Sequence, residues 1–306
     1  MNDRKLIVTV MSGGPSSERE VSLRSGVAVV KAIRSLGHTV HELDPSEPSW
    51  KLPQGTEIVF LALHGTYGED GTVQEELEKL GVPYTGCGPQ ASRVAFDKVL
   101  TKKRCLATGV PTARFVVLDS PKAPWPAGWR PPVVLKPVRQ GSSVGLQMVE
   151  EVGQWEAALA EAFRFDTEVL MEEKIIGREA TVGILDDKPL PVAEVRLKPG
   201  LGFFDYKNKY TPGASEHICP ADFDPAQTAR IQNAAMGAFH AIGGRDFARV
   251  DVMVRPNGDP VVLEVNTLPG MTELSVLPDA AAAAGLSFAQ LCQRIMDLAL
   301  NRGKKK

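Results

Sequence analysis

Short apolar runs alternate with amphipathic and glycine-rich stretches at the start of the chain. Residues 6–11 form a short apolar run rich in β-branched side chains, which predicts a strand, and residues 39–43 and 58–63 are predicted to be further strands. A helix is predicted between the first two runs, with Gly37 as its stop. Its apolar stripe consists of Leu23, Val27, Val30 and Ile33. Strand, helix and strand in this order predict a parallel α/β sheet.

The first helix is expected to begin beside a ligand crevice. Ser17 and Glu20 have the spacing of a helix capping box. In a parallel sheet, ligands gather beyond the carboxyl ends of the strands. The residues that follow the first and third strands should therefore face one crevice, and they include Gly13, Gly14, Glu18, His64 and Gly65.

The remainder of the chain also predicts mixed α/β structure. Further strands are predicted at 133–136, 146–149, 168–172, 180–185 and 190–195, the last two joined at Asp186-Asp187, with a helix at 151–164. A second long helix should open at Asp224-Pro225 and close at Gly243-Gly244. Residues 198–215 combine glycine, proline and aromatic residues without a sustained period, which predicts a mobile functional loop.

Composition narrows the class of protein. The 35 Lys and Arg residues nearly balance the 37 Asp and Glu residues, so no overall field favours nucleic acid or an anionic membrane. Four scattered cysteines show neither zinc-site spacing nor disulfide density. No run approaches the roughly 18 apolar residues of a membrane span. We therefore expect a soluble cytoplasmic protein, and its 306 residues are enough for two or three compact units.

Two apolar strands around Asn257-Gly258 predict a metal-binding hairpin. With these two residues as a type I′ turn, Asp251 lies opposite Glu264 and Arg249 opposite Asn266, all on one face. The other face is expected to carry Val250, Val252, Leu263 and Val265. Two opposed carboxylates repel unless a cation separates them, and the oxygen ligands Asp251, Glu264 and Asn266 suit Mg²⁺ or Mn²⁺.

That hairpin also has a simpler interpretation. An amphipathic hairpin with a solvated polar face would show a similar pattern. A turn of another length would also shift the strand register by one residue and separate the opposed pairs.

Three basic or glycine-rich segments predict nucleotide binding, each with an ordinary alternative. Lys136 ends a strand just before the turn 141–145, whose backbone N–H groups would wrap a phosphate, although such turns are usually only turns. Spacing alone favours a solvated helix face for Lys98, shared with Lys102 and Lys103. Residues 172–179 are either a surface turn or a hinge between lobes that binds adenine and ribose.

Taken together and in order, the motifs resemble those of the D-alanine–D-alanine ligase family over nearly the whole chain. They are 16–22, Leu63-His64-Gly65, 68–71, Asp97-Lys98, Lys136-Pro137, 141–145, 206–210, 249–251 and 264–272. The resemblance implies a three-lobed ATP-grasp fold with a Rossmann-like N-terminal sheet and lobes at about 1–95, 96–178 and 179–306. It also implies a homodimer, which would be formed through the first lobe.

The resemblance further implies residue roles. Phosphates would be held by Lys98, Lys136 and Lys209 under a lid of Ser142 and Ser143, and the nucleoside by Glu172, Glu173, Ile175 and Glu179. The first D-alanine would bind at Glu18 and His64 and the second at Ser275. Glu18, Ser142 and Tyr210 would form a hydrogen-bonded set, and Arg249 with the Gly270 N–H would stabilise an oxyanion. Two Mg²⁺ or Mn²⁺ ions are expected.

The implied reaction phosphorylates the carboxylate of the first D-alanine with ATP, after which the amine of the second attacks. Tyr210 favours a dipeptide over a D-lactate ester, whereas Phe204 stands where many relatives have tyrosine. Two alternatives stay open. One is an ATP-grasp ligase for another carboxylate or acceptor, and the other is a nucleotide-binding regulatory protein without turnover.

Overall fold

The N-terminal part of the chain forms a small parallel sheet, as predicted. The computed structural model describes residues 4–197, 215–272 and 275–302. Strands β1 (Ile7–Met11), β2 (Thr39–Leu43) and β3 (Ile58–Leu61) pair in the order β2-β1-β3, all parallel. Helix α1 (Arg19–Ser35) connects β1 to β2, and α2 (Thr72–Leu80) follows β3. The carboxyl ends of β1 and β3 therefore lie side by side.

Helix α1 differs from its prediction at its start and along its buried side. It begins at Arg19, Glu18 occupies the cap position without a side-chain cap, and the predicted capping box of Ser17 and Glu20 is wrong. Val27 is 68% exposed, so the predicted apolar stripe is also wrong at this position. The buried side includes Ser22, whose hydroxyl bonds the Gly13 N–H and the Ala62 carbonyl. Backbone partners satisfy the hydrogen-bonding capacity of the buried Ser22 hydroxyl. A prediction of the buried side from apolar residues alone therefore misses such a position.

A second sheet lies in the middle of the chain. Its strands are β4 (Phe115–Leu118), β5 (Val133–Pro137), β6 (Gln147–Val149) and β7 (Val169–Glu173). They pair in the order β4-β7-β5-β6, with all neighbours antiparallel. The helices of this part are α3 (Pro89–Phe96), α4 (Lys98–Ala107) and α5 (Trp155–Ala162). The helix predicted at 151–164 is a 3₁₀ turn at Val152–Gln154 followed by the shorter α5.

A third sheet carries the predicted hairpin. Its strands are β8 (Arg178–Leu185), β9 (Lys188–Pro189), β10 (Ala193–Leu197), β11 (Ser215–Ile218), β12 (Phe247–Val254) and β13 (Pro260–Asn266). They pair in the order β11-β10-β8-β12-β13, and β9 pairs with β8. Helix α6 (Pro225–Ala241) opens at Asp224, whose side chain accepts a hydrogen bond from the Gln227 N–H at 2.8 Å, as the Asp-Pro pair predicted.

The chain returns to its first sheet at the end. Helices α7 (Val276–Ala283) and α8 (Phe288–Leu300) contribute to the same apolar core as β1 and β3. His38, which directly precedes β2, bonds Gln293 of α8 at 2.8 Å. The three sheets therefore surround one central space. Within the described ranges, no helix is both long and apolar enough to cross a membrane.

Candidate active site

One large cavity of about 950 Å³ lies where the three sheets meet. The N-terminal lobe contributes Glu18, His64 and Glu69, and the middle sheet contributes Lys136 and Glu172. The hairpin of β12 and β13 supplies Arg249, Asp251, Glu264 and Asn266. The cavity thus collects nearly all the described residues that the sequence marked for function, including Lys98, Ser142, Ser143, Glu173, Ile175, Glu179, Gly270 and Ser275. Lys209 and Tyr210 lie outside the described residues.

The hairpin register matches the prediction at the site but not at the turn. Arg249 pairs with Asn266 and Asp251 with Glu264. The predicted two-residue turn is wrong: Gly258 N–H donates to the Arg255 carbonyl at 2.8 Å, and Arg255 N–H to the Asp259 carbonyl at 3.0 Å. The loop is therefore residues 256–258, one residue longer than expected.

A β-bulge restores the register. Val252 pairs with Val262, whereas Asp251 pairs with Glu264, so Leu263 is the extra residue. The longer turn and the bulge each shift the ladder by one residue, in opposite senses. Without the bulge, Glu264 and Asn266 would lie on the core side of the sheet.

The longer turn also changes the face of the sheet on which Leu263 lies. Val250, Val252 and Val265 lie in the core as predicted, but Leu263 lines the cavity, so its predicted position was wrong. Met253, Val134, Met148 and Ile175 also line the cavity, and Met253 packs against the cluster that contains Ile175. The cavity thus combines apolar side chains with a few polar groups, as small-molecule sites usually do.

Asp251 is held by neighbouring polar groups. Arg249 donates to its two carboxylate oxygens at 2.9 and 2.8 Å, and Thr181 donates to it at 2.9 Å. Asn266 Nδ2 lies 3.2 Å from Asp251 Oδ2. The predicted repulsion between opposed carboxylates is thus relieved on the Asp251 side by an arginine. In the ranges that the structure describes, no group of three His, Cys, Asp or Glu side chains is arranged to hold a metal ion.

The lysines form a buried charge cluster around Glu172. Lys136 Nζ lies 2.6 Å from Glu172 Oε2, and Lys102 Nζ lies 2.6 Å from Glu172 Oε1. Burial alone would raise the pKa of Glu172, but the two lysines outweigh it and hold that pKa below its usual value. Burial likewise opposes the charge of Lys136, but Glu172 outweighs it and raises the pKa of Lys136.

Lys98 and Lys102 contradict the solvated helix face that spacing favoured. Lys98 lines the cavity and donates to the Gln140 carbonyl, while Lys102 is only 1% exposed. Burial lowers the pKa of both ammonium groups. Lys103, the next residue after Lys102 on α4, is exposed as expected.

The glycine turn reaches from β5 to the N-terminal lobe. Ser142 and Ser143 have φ values of 49° and 59°, which non-glycine residues adopt only when surrounding contacts hold them. Ser142 Oγ donates to Glu18 Oε1, which places these two predicted residues in contact. A Cβ atom at Gly141 would lie 2.4 Å from Glu18 Oε2, so a side chain there would displace the Glu18 carboxylate from its present position.

The end of β13 is attached to the N-terminal lobe through His64. Its Nε2 lies 3.0 Å from Ser25 Oγ and its Nδ1 lies 3.1 Å from the Leu268 carbonyl. The Met271 N–H also donates to Ser25 Oγ. In this structure His64 therefore positions the segment that carries Gly270, in addition to lining the cavity.

Ser275 lies directly beside Gly270 at the start of α7. A Cβ atom on Gly270 would lie 2.7 Å from Ser275 Oγ, and this oxygen accepts a hydrogen bond from the Thr272 N–H at 2.9 Å. The first N–H groups of α7 lie at the same end of the cavity, and helix N-termini favour carboxylates.

Sequence reasoning missed several cavity residues. Glu69 lies within the motif 68–71 but was assigned no role, yet its Oε2 accepts a hydrogen bond from the Gly65 N–H at 2.7 Å. Burial and the nearby charge of Glu18 raise the pKa of Glu69 to about 8. Its place beside Glu18 depends on the fold, so the only sequence signal was its closeness to His64.

Comparisons with known proteins agree with this geometry. Residues 38–87 match the model of the D-ala D-ala ligase N-terminus, and residues 108–297 match that of the D-ala D-ala ligase C-terminus. A D-alanine–D-alanine ligase of Methylacidiphilum infernorum is 44% identical, over 97% of this chain and 96% of its own length. The chain belongs to the D-alanine–D-alanine ligase family.

Solved structures of this ligase family show the same architecture. The crystal structure of a D-alanine–D-alanine ligase from Bacillus anthracis has a TM-score of 0.85 at 33% identity, covering 98% of this chain and 99% of that one. A crystal structure of a D-alanine–D-alanine ligase from Bacillus anthracis complexed with ATP has a TM-score of 0.84 at 30% identity, with the same coverage. The ATP-grasp fold predicted from the sequence is confirmed.

Proposed function

We propose that this protein ligates two D-alanine molecules to D-alanyl-D-alanine with ATP, for the synthesis of peptidoglycan precursors. One observation carries the proposal: a single cavity joins a lysine-rich end, a carboxylate and amide hairpin, and the Glu18–Ser142 contact. Membership in the ligase family supports the same reaction. The product would be a dipeptide, with ADP and phosphate released.

ATP would lie between the middle and C-terminal sheets. The apolar slot of Ile175, Met253 and Leu263 would hold the adenine ring, with Glu172, Glu173 and Glu179 around the nucleoside. Lys98 and Lys136, with the Ser142-Ser143 turn, would hold the phosphates, because buried ammonium groups and backbone N–H groups favour phosphate oxygens. Lys209 would join them from the segment outside the described residues.

The hairpin has a donor set that fits Mg²⁺ or Mn²⁺. Glu264 and Asn266 offer oxygen ligands toward the cavity, and Asp251 can join when Arg249 moves from it to the substrate. Bound divalent ions would neutralise phosphate charge and favour phosphoryl transfer. Two ions are expected.

The amino acids would lie between this hairpin and the N-terminal lobe. Glu18 would bind the ammonium group of the first D-alanine, near His64, and Ser275 with the α7 N-terminus would bind the carboxylate of the second. The first carboxylate would attack the γ-phosphorus of ATP, forming an acyl phosphate and releasing ADP. Arg249 would stabilise the charge that develops on the transferred group.

The second D-alanine would then complete the ligation. Its neutral amine would attack the acyl carbon, phosphate would leave with one former carboxylate oxygen, and the amine would lose a proton. The Gly270 N–H and Arg249 would stabilise the tetrahedral oxyanion. Glu18, Ser142 and Tyr210 would form the hydrogen-bonded set at the reacting centre. A lid formed by 198–215 would exclude water, and the active form would be a homodimer through the first lobe.

Phosphate release is the direct test of the proposal. The protein should release phosphate only when ATP, D-alanine and Mg²⁺ are all present, and chelation of the divalent ion should abolish the release. Mass spectrometry should show D-alanyl-D-alanine. Turnover only with another acid or acceptor would support a different ATP-grasp ligase, and nucleotide binding without any turnover would support a regulatory protein.

A further inference from the structure

A buried lysine on α4 has no role in the proposed mechanism. Lys102 is 1% exposed and does not line the cavity, in contrast to Lys98 and Lys136. Its Nζ donates to Thr112 Oγ1 at 2.7 Å and lies 5.3 Å from the centre of the Phe115 ring. Lys102 therefore cannot touch a ligand in the cavity.

Glu172 connects Lys102 to the cavity. One carboxylate oxygen of Glu172 lies 2.6 Å from Lys102, and the other lies 2.6 Å from Lys136. Glu172 is 2% exposed, whereas the side chain of Lys136 is 15% exposed and reaches the cavity. The carboxylate thus has one cation behind it, inside the protein, and one in front of it.

We propose that Lys102 is a positioning residue for nucleotide binding: it balances the charge of Glu172 from behind, so that Lys136 can turn from Glu172 to the phosphates of a nucleotide. The inference rests on the proposed function in that it requires a nucleotide in the cavity. The chemical class it addresses is a nucleoside triphosphate, because its phosphates would compete with Glu172 for Lys136.

The physical reason is the cost of an unpaired buried charge. Without Lys102, Lys136 would be the only ammonium group on a carboxylate that is almost fully buried. Moving Lys136 to a phosphate would then leave Glu172 charged and unpaired, which is strongly unfavourable away from water. With Lys102 in place, Glu172 keeps a partner during that movement.

A purely structural role makes a different prediction. The ion pair also joins α4 to β7, so loss of Lys102 would reduce the amount of folded protein in either case. A structural role alone lowers stability and the apparent kcat but leaves the affinity of the folded fraction for nucleotide unchanged. Ligand affinity therefore separates the two roles.

The test compares Lys102→Met with Lys103→Met. Methionine keeps a similar length without the charge, and Lys103 is the exposed neighbour on the same helix. Calorimetry would give the Kd of a non-hydrolysable ATP analogue with Mg²⁺, and steady-state kinetics the KM of ATP and of D-alanine. For Lys102→Met we expect both nucleotide constants to rise about tenfold and the D-alanine KM to stay within about twofold. Lys103→Met should match the parent protein.

Lys102→Gln is a second variant, neutral but still able to donate hydrogen bonds, and it should show the same rise. A nucleotide Kd within about twofold of the parent in a folded Lys102 variant would overturn the inference. Failure of both variants to fold would assign Lys102 to folding and would also overturn it. If the parent binds the analogue but does not ligate D-alanine, the proposed function fails while the Kd values still decide the role of Lys102.

Discussion

At the scale of single residues, the cavity places like charges close together. Glu18 and Glu69 lie on neighbouring segments of the N-terminal lobe, and the charge of Glu18 is one cause of the raised pKa of Glu69. In the unfolded chain the Glu69 carboxyl group meets water and ionises at its ordinary pKa. The folded protein therefore keeps a proton on Glu69 in a pH range where the unfolded chain releases it.

This difference predicts how stability depends on pH. Between about pH 4.5 and the folded pKa of about 8, the folded state binds more protons at Glu69 than the unfolded state, so stability falls as pH rises. Glu69→Gln removes this loss and keeps an acceptor for the Gly65 N–H. We expect its free energy of unfolding, relative to the parent, to increase by at least about 1 kcal/mol from pH 5 to pH 8.

Denaturant titrations at the two pH values would measure this change. Glu47→Gln, at an exposed position in the same lobe, is the control and should show no pH-dependent gain. A constant difference between Glu69→Gln and the parent across this range would contradict the prediction.

At the scale of elements, the hairpin of β12 and β13 places two neighbouring side chains on opposite faces of the sheet. Val262 is 1% exposed in the core, whereas Leu263, the bulged residue, lines the cavity. In a regular strand the alternation of faces would continue beyond Leu263 and place Glu264 and Asn266 on the core side. The bulge instead directs both side chains toward the cavity.

Truncating these two side chains should therefore affect different properties, ATP binding for Leu263 and stability for Val262. Leu263→Ala should raise the KM for ATP several-fold and change the Tm little, because it removes part of the proposed adenine slot. Val262→Ala should cost about 2 kcal/mol of stability, because it leaves a gap in the core, without a selective change in the KM for ATP. Thermal melts and steady-state kinetics of both variants would check this, and a stability loss in Leu263→Ala with unchanged kinetics would count against the slot.

The sequence predicted features that local patterns control. The parallel β1, β2 and β3, the cap at Asp224 and the pairing of Asp251 with Glu264 follow from strand runs, turn residues and alternation. The longer turn that places Leu263 on the cavity side and the Glu172 contact that buries Lys102 are not visible in local spacing, so the predicted positions of both side chains were wrong. The pairing of Asp251 was predicted correctly although the turn was not, because two register shifts cancel.

At the scale of the whole molecule, one contact joins the glycine turn to the N-terminal lobe across the cavity. Ser142 donates to Glu18, and the backbone of both serines in this turn is in a conformation that needs support. The glycine turn and the proposed site of the first D-alanine are therefore connected through this hydrogen bond.

Removing that hydroxyl should weaken amino-acid binding more than nucleotide binding. For Ser142→Ala we expect the KM for D-alanine to rise about tenfold and the KM for ATP to stay within about threefold, because a hydrogen bond to a charged group is lost at the amino-acid end. Ser143→Ala, at the next residue with a similar backbone, is the matched control and should affect ATP more than D-alanine. Identical kinetic changes in the two variants would argue against this division.

The shared core of β1, β3 and α8 has a consequence for how the protein is made. Leu291, Ile295 and Met296 of α8 fill the same core as Val8 and Phe60, although they are encoded far downstream. On a ribosome, the first sheet would emerge early and wait for residues 288–300, on the order of tens of seconds at ordinary translation rates. During that interval the apolar residues that α8 will cover are exposed, so we expect chaperones to bind the nascent N-terminal lobe.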